Sequence, residues 1–169
     1  RVYDAPSNEV LIEVLSVYYI EILPDGDVPN PDQTIHAVSS TSLPNTRVVV
    51  NYTLKFTGNA PDNARITPEY IHDASNFLPK LPDGNTGMLI FNDVQYNGVL
   101  DGEDVQIASW RDINNNGQID AGEVQVTPLG RQFPAGSVLN LLLVFRVPTN
   151  TPAGRVCYVG VHGESVGDP

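Results

Sequence analysis

No apolar run in this chain goes far before a cluster of Pro, Gly, Asn or Asp closes it, and that punctuation excludes most helical folds. The breakers are Pro24-Asp25-Gly26, Pro29-Asn30-Pro31, Gly58-Asn59-Ala60-Pro61, Pro82-Asp83-Gly84, Pro134-Ala135-Gly136 and the stretch 148–154. Between them lie runs rich in β-branched and aromatic residues, which predict strands over 9–23, 34–39, 46–56, 64–72, 86–91, 104–110, 124–127, 137–147 and 155–166. Within 46–56, Val48, Val50, Tyr52, Leu54 and Phe56 alternate with Val49, Asn51, Thr53 and Lys55, the period of a strand with one dry face and one wetter face. The spacing predicts an all-β chain, an Ig-like β-sandwich of about 7–9 strands.

With 41% hydrophobic and only 17% charged residues, the chain can bury a core, and 169 residues suit one domain of this kind. Two parts are expected: residues 1–33 as an N-terminal strand and linker, and 34–169 as the sandwich, with a loop insertion at about 92–124. The formal net charge of −11 disfavours phosphate backbones and anionic lipid as partners and favours cations. No stretch reaches the roughly 20 apolar residues of a spanning helix, so no membrane insertion is expected. Arg1 in place of Met fits either a trimmed chain or a processed one, and if processed, export is the expected reason. The single cysteine, Cys157, excludes an intrachain disulfide; its alternation with Val159 and Val161 predicts a small buried hydrophobe rather than a reactive thiol. Asn51-Tyr52-Thr53 is a formal glycosylation sequon on the wetter face of its strand, a weak signal by itself.

The chemistry concentrates in residues 112–123, Asp-Ile-Asn-Asn-Asn-Gly-Gln-Ile-Asp-Ala-Gly-Glu, which fit the twelve-residue calcium loop D-x-[DN]-x-[DN]-G-x5-E at every specified position. Calcium takes six to eight oxygens, and this spacing folds oxygens inward around one ion. Asp112, Asn114 and Asn116 would supply side-chain oxygens, Gln118 its carbonyl, Asp120 a direct or water-mediated contact, and Glu123 the closing carboxylate. Gly117 allows the sharp turn and Ile119 points back to the core. Residues 93–104 echo the pattern, with Asp93, Gln95, Asn97, Val99, Asp101 and Asp104 on the same positions. There the third residue is Gln and the twelfth a shorter Asp, so a weaker site, an Asn97-Gly98 type I′ hairpin and a pooling of both loops around shared ions all stay open. The expectation is one or two calcium ions. Both loops adjoin strands rather than helices, so a helix-pair switch is not expected and the metal role is structural.

The first run is apolar on both faces: Val10, Ile12, Val14, Tyr18, Ile20 and Ile22 on one, and Leu11, Leu15, Val17, Tyr19 and Leu23 on the other. Such a strand wants burial on both sides. It is either an ordinary central strand, a bent strand shared between the two sheets of its own sandwich, or a donor that completes the sheet of a neighbouring copy.

Residues 48–66, with the closing stretches 133–137 and 145–154, resemble the conserved-repeat, Ig-like domains of bacterial and archaeal cell-surface proteins, some of which carry a DxNGNGxxDxGE insertion. The resemblance implies an extracellular, non-enzymatic structural domain. A single copy with an added N-terminal region is similar to a subunit of a self-assembling extracellular filament or surface layer. His36, His72, His162 and Ser137 form no catalytic pattern, so no enzyme is expected. The competing expectation is a calcium-dependent adhesive module that binds glycans on a platform of Trp110, Tyr96, Tyr18 and Tyr19.

Overall fold

The computed structural model describes residues 19–25 and 41–167. The described residues form an all-β sandwich of eight strands in two antiparallel sheets. The strands are β1 (Ile20–Pro24), β2 (Arg47–Phe56), β3 (Ala64–Tyr70), β4 (Gly87–Asp93), β5 (Val105–Arg111), β6 (Val124–Val126), β7 (Val138–Arg146) and β8 (Val159–Ser165). Six of them make one sheet in the order β1-β2-β7-β4-β5-β6, and β3 pairs with β8 in the other. The expected strand at 34–39 and the first part of the one at 9–23 lie outside the described residues. No helix among the described residues is long and apolar enough to cross a membrane.

The alternation in β2 sets the core. Val48, Tyr52, Leu54 and Phe56 are buried, and the register places Phe145, Leu141 and Leu139 of β7 directly opposite Val48, Tyr52 and Leu54. Continuing across the sheet, Leu143 faces Ile90 of β4, Ile90 faces Ala108 of β5, and Met88 faces Trp110. This inner face meets Ala64 and Ile66 of β3 and the half-buried Val159 and Val161 of β8. Phe56 stacks on Phe133 at 4.9 Å, and Tyr70 stacks on Trp110 at 5.5 Å. Strand β7 is central and apolar on both faces; its outward Leu142 and Val144 are buried as well.

Two expectations about edges change. The strand expected over 64–72 ends at Tyr70, because His72–Ala74 turns into one 3₁₀ turn closed by the Ser75 amide on the His72 carbonyl. The last strand begins at Val159, so Cys157 precedes it. There the amide of Asn76 bonds the Val156 carbonyl and the Tyr158 amide bonds the Ser75 hydroxyl, which takes 156–158 out of the ladder. Cys157 is still half-buried, and burial pushes its thiol up to about 12 against the lowering contact from Ser75.

At the sheet edge, β1 pairs with β2 from Ile20 opposite Phe56 to Pro24 opposite Tyr52. Ile20 and Ile22 reach across to Gly163 of β8, where a Cβ would come within 2.3 Å of the Ile22 Cδ1 and 2.9 Å of the Ile20 Cδ1. A side chain at that position would collide with the strand that closes the sandwich.

Candidate metal centre

Both twelve-residue loops are hairpin connections, joined by β5. Residues 93–104 link β4 to β5, and 112–123 link β5 to β6, so the loops emerge at opposite ends of a seven-residue strand. At about 3.3 Å per residue they stand roughly 23 Å apart. Shared ions are therefore excluded, and each loop must be judged on its own oxygens.

In 112–123 the carboxylates at the two ends of the loop are buried and gather backbone amides. Asp112 Oδ1 accepts from the Asn116 N–H at 3.1 Å and Oδ2 from the Gly117 N–H at 2.9 Å. Glu123 Oε1 accepts from the amides of Ile113 at 2.8 Å and Asn114 at 3.3 Å; Oε2 accepts from the Asp120 amide at 3.2 Å and the Trp110 indole N–H at 3.3 Å. Asp120 Oδ2 takes the side-chain amides of Asn114 at 2.8 Å and Asn116 at 2.6 Å. The Gln118 amide bonds Asn116 Oδ1 at 2.8 Å. Asn115 and Gly117 take positive φ (59° and 75°), which drives the chain back on itself at the fourth and sixth positions.

The loop 93–104 repeats the main contacts of this arrangement. Asp93, fully buried, accepts from the amides of Asn97 at 3.3 Å and Gly98 at 2.7 Å. The Val99 amide bonds Asn97 Oδ1, Asp101 Oδ2 takes the Asn97 side-chain amide, and Asp104 accepts from the amides of Val94 and Asp101. Positive φ falls on Tyr96 (56°) and Gly98 (71°), again the fourth and sixth positions. A type I′ turn at Asn97-Gly98 needs positive φ at both of those residues, and Asn97 has none, so the hairpin alternative is not what forms. Gln95 differs from its counterpart: its Oε1 accepts from the Asn97 side-chain amide at 3.2 Å.

The electrostatics of the two loops agree. Hydrogen bonds from Asn114 and Asn116 hold Asp120 below the ordinary carboxylate value; those of the Glu103 amide and then Asn97 do the same for Asp101. Burial opposes ionisation of Glu123, yet the Ile113, Asp120 and Asn114 amides and the Trp110 indole outweigh it and leave its pKa lowered. Each loop thus carries three carboxylates at the motif's ligand positions, each accepting hydrogen bonds from neutral N–H donors of its own loop. That donor set, all hard oxygen, with carboxylates at positions 1, 9 and 12 and a carbonyl at 7, suits calcium rather than a thiolate- or imidazole-seeking metal.

Ile119 packs against the core, as its place in the motif predicts. Trp110 is fully buried beneath the loop 112–123, which withdraws it from any sugar-binding platform. Tyr96 and Tyr19 are exposed, and Tyr18 lies outside the described residues. His72 bonds its neighbour Asp73, and His162 stands between Glu69 and Glu164 on the surface.

Three contacts of the loops carry no sequence signal. The Trp110 indole donates to the closing carboxylate, Leu78 and His72 pack against Gly117, and Asn51 packs against Gly98, where a Cβ would lie 2.6 Å from the Asn51 Nδ2. The Asn51 Oδ1 is buried there without a hydrogen bond, so the sequon asparagine faces a loop instead of open solvent.

Fold and site together define a class: an all-β sandwich whose six-stranded sheet carries a twelve-residue Asp/Asn loop at each end of one strand. No protein-family model matches the chain, and no curated protein matches it.

Proposed function

We propose that this protein is a secreted, non-catalytic structural subunit of a cell-surface filament or layer, that its Ig-like sandwich is stiffened by calcium in the loops 112–123 and 93–104, and that copies associate through the N-terminal strand. The observation that carries the calcium part is the repetition of one hydrogen-bond pattern in two loops of different sequence. Asp112, Asn114, Asn116, Gln118, Asp120 and Glu123 would hold the first ion, and Asp93, Gln95, Asn97, Val99, Asp101 and Asp104 a second, weaker one. The ion would supply countercharge and cross-link the two strands each loop joins.

The assembly part is supported by the doubly apolar run at 9–23, of which Ile20 and Ile22 pack in their own domain. Electron microscopy with calcium, comparing the full chain with one lacking residues 1–18, tests it. The cut spares β1, so that loss of filaments is not loss of the Ile20–Gly163 seat. Filaments from the full chain alone support the reading; monomers from both, at all concentrations, reject it.

A further inference from the structure

We infer that Asn116 and Asn97 are sites of spontaneous deamidation, and that the first carboxylate of each loop, Asp112 and Asp93, is the group that holds the reaction off while the loop is folded. The chain contains two Asn-Gly pairs, Asn116-Gly117 and Asn97-Gly98, and they occupy the fifth and sixth positions of the two loops. Glycine stands at the sixth position because the backbone there takes positive φ (75° and 71°), where a side chain is strained. The same glycine leaves the amide nitrogen after each asparagine without a Cβ to shield it. The turn that makes each loop thus also places its most reactive asparagine.

The reaction is a substitution at the Asn Cγ. The nitrogen of the following glycine attacks that carbon and a C–N bond forms; the bond from Cγ to Nδ2 breaks, and ammonia leaves with the proton of the glycine amide. Water then opens the imide ring at either carbonyl. The products are aspartate at the fifth position, or isoaspartate with the main chain rerouted through the side chain.

In both loops the reacting groups are pinned. The Gly117 N–H donates to Asp112 Oδ2 at 2.9 Å in a buried position, and the Asn116 N–H donates to Asp112 Oδ1 at 3.1 Å. One carboxylate therefore grips the amides on both sides of the Asn116 Cα and fixes the torsion that would turn the glycine nitrogen toward Cγ. The Gln118 amide holds Asn116 Oδ1 at 2.8 Å, and Asp120 Oδ2 holds the leaving Nδ2 at 2.6 Å. In 93–104, Asp93 takes the amides of Gly98 at 2.7 Å and Asn97 at 3.3 Å, the Val99 amide holds Asn97 Oδ1 at 2.8 Å, and Asp101 Oδ2 holds Nδ2 at 3.0 Å. Attack requires the glycine N–H to leave a carboxylate, and hydrogen bonds to charged groups are the strong ones. Losing one slows the step about tenfold or more. Because the conversion is irreversible, it marks copies whose loop has come open, and each aspartate formed adds a carboxylate to its loop.

Peptide mass spectrometry of the full-length protein held at pH 8 tests this, with the replacement of NH2 by OH read at each asparagine and isoaspartate identified by methyltransferase labelling. EGTA keeps metal out, so the result is read on these hydrogen bonds alone and separately from the calcium reading. In the folded wild type both asparagines should convert about tenfold or more slowly than in guanidinium chloride. Asp112→Ala should accelerate Asn116 by about that factor and leave Asn97 at the wild-type rate; Asp93→Ala should do the reverse. The unaltered loop checks folding, since a variant that unfolds releases both sites, and then the wild-type comparison and the other variant decide. Glu123→Ala disturbs 112–123 without removing a bond of Asn116 or Gly117, and should leave Asn116 slow. Equal rates in folded and denatured wild type would overturn the inference. So would an acceleration of Asn116 by Glu123→Ala as large as that by Asp112→Ala, which would assign the restraint to loop order in general.

Discussion

Removing the first carboxylate of each loop separates the hydrogen-bonding role of that residue from the metal role proposed for it. Asp112→Ala deletes the acceptor of two amides, of which that of Gly117 is buried and that of Asn116 is within reach of water. Leaving one buried donor unpaired costs about 1–3 kcal/mol. For a domain of this size that is roughly 3–10 °C in Tm, independent of metal. The metal term is separate: an ion present at a hundred times its Kd adds about 2.7 kcal/mol, and a chelator removes it. Asp93→Ala mirrors the change in the other loop, where the buried Asp93 holds the amides of Asn97 and Gly98. Scanning calorimetry of the wild type, each single variant and the double variant, with calcium and with EGTA, gives eight midpoints. The expected pattern is a large EGTA-induced fall in the wild type and a smaller one in Asp112→Ala, which keeps only the weaker loop. Asp93→Ala should show an intermediate fall, and the double variant none. An EGTA response in Asp112→Ala equal to that of the wild type would refute the assignment of the strong site, and a wild-type midpoint indifferent to EGTA would refute calcium altogether.

Three further outcomes are expected. Trp110→Phe keeps a ring against Tyr70 but removes the N–H on Glu123 Oε2; a drop of about 1–3 kcal/mol in urea unfolding, together with weaker calcium binding by titration calorimetry, checks it. Stability should fall on acidification: Asp101, Asp120 and Glu123 have folded pKa values below their unfolded ones, so their contribution is complete above about pH 4–4.5 and is lost as pH drops through the folded values. A midpoint that stays flat from pH 6 to pH 2.5 would contradict this. The Cys157 thiol, pushed up to about 12 by burial, should react with a disulfide reagent at pH 8 only after denaturation, and rapid labelling of the native protein would overturn that placement.

The strands that could be read in advance are those whose burial is decided by their neighbours in the ladder. Val48 to Phe56 alternates because one face meets β3 and β8, and the observed β2 begins within one residue of the expected start. The turn of the loop 112–123 is legible for a different reason: the motif encodes a backbone path, and positive φ at the fourth and sixth positions follows from it. What could not be read is what depends on distant chain. Sheet order gives no local signal, so nothing in 93–104 announces that Gly98 rests on Asn51 of β2. The last strand begins later than its alternation predicts because the 156–158 backbone has an alternative partner in 71–76, and alternation of Cys157 with Val159 persists whether or not a ladder forms. The adhesive alternative places Trp110 on a sugar platform, but its full burial and the Glu123 carboxylate on its indole N–H set it beneath the loop instead.

Separating the loops by β5 also determines how their ions would interact. Each loop has three carboxylates at the positions proposed to bind calcium, and a bound ion would leave each loop near −1. Filling one loop lowers the product of the two loop charges from about 9 to about 3. Across roughly 23 Å of water-like medium that relief is worth about 1 kcal/mol before screening. At physiological ionic strength the separation is about three Debye lengths, which leaves only a small fraction of it. The two sites should therefore fill independently in salt, in order of intrinsic affinity, with 112–123 first because Glu123 can give two oxygens where Asp104 usually gives one. Any positive cooperativity that emerges should be confined to low ionic strength. Cooperativity that persists at high salt would instead point to a mechanical link through β5, whose Trp110 end is bonded to Glu123 and whose other end begins directly after Asp104.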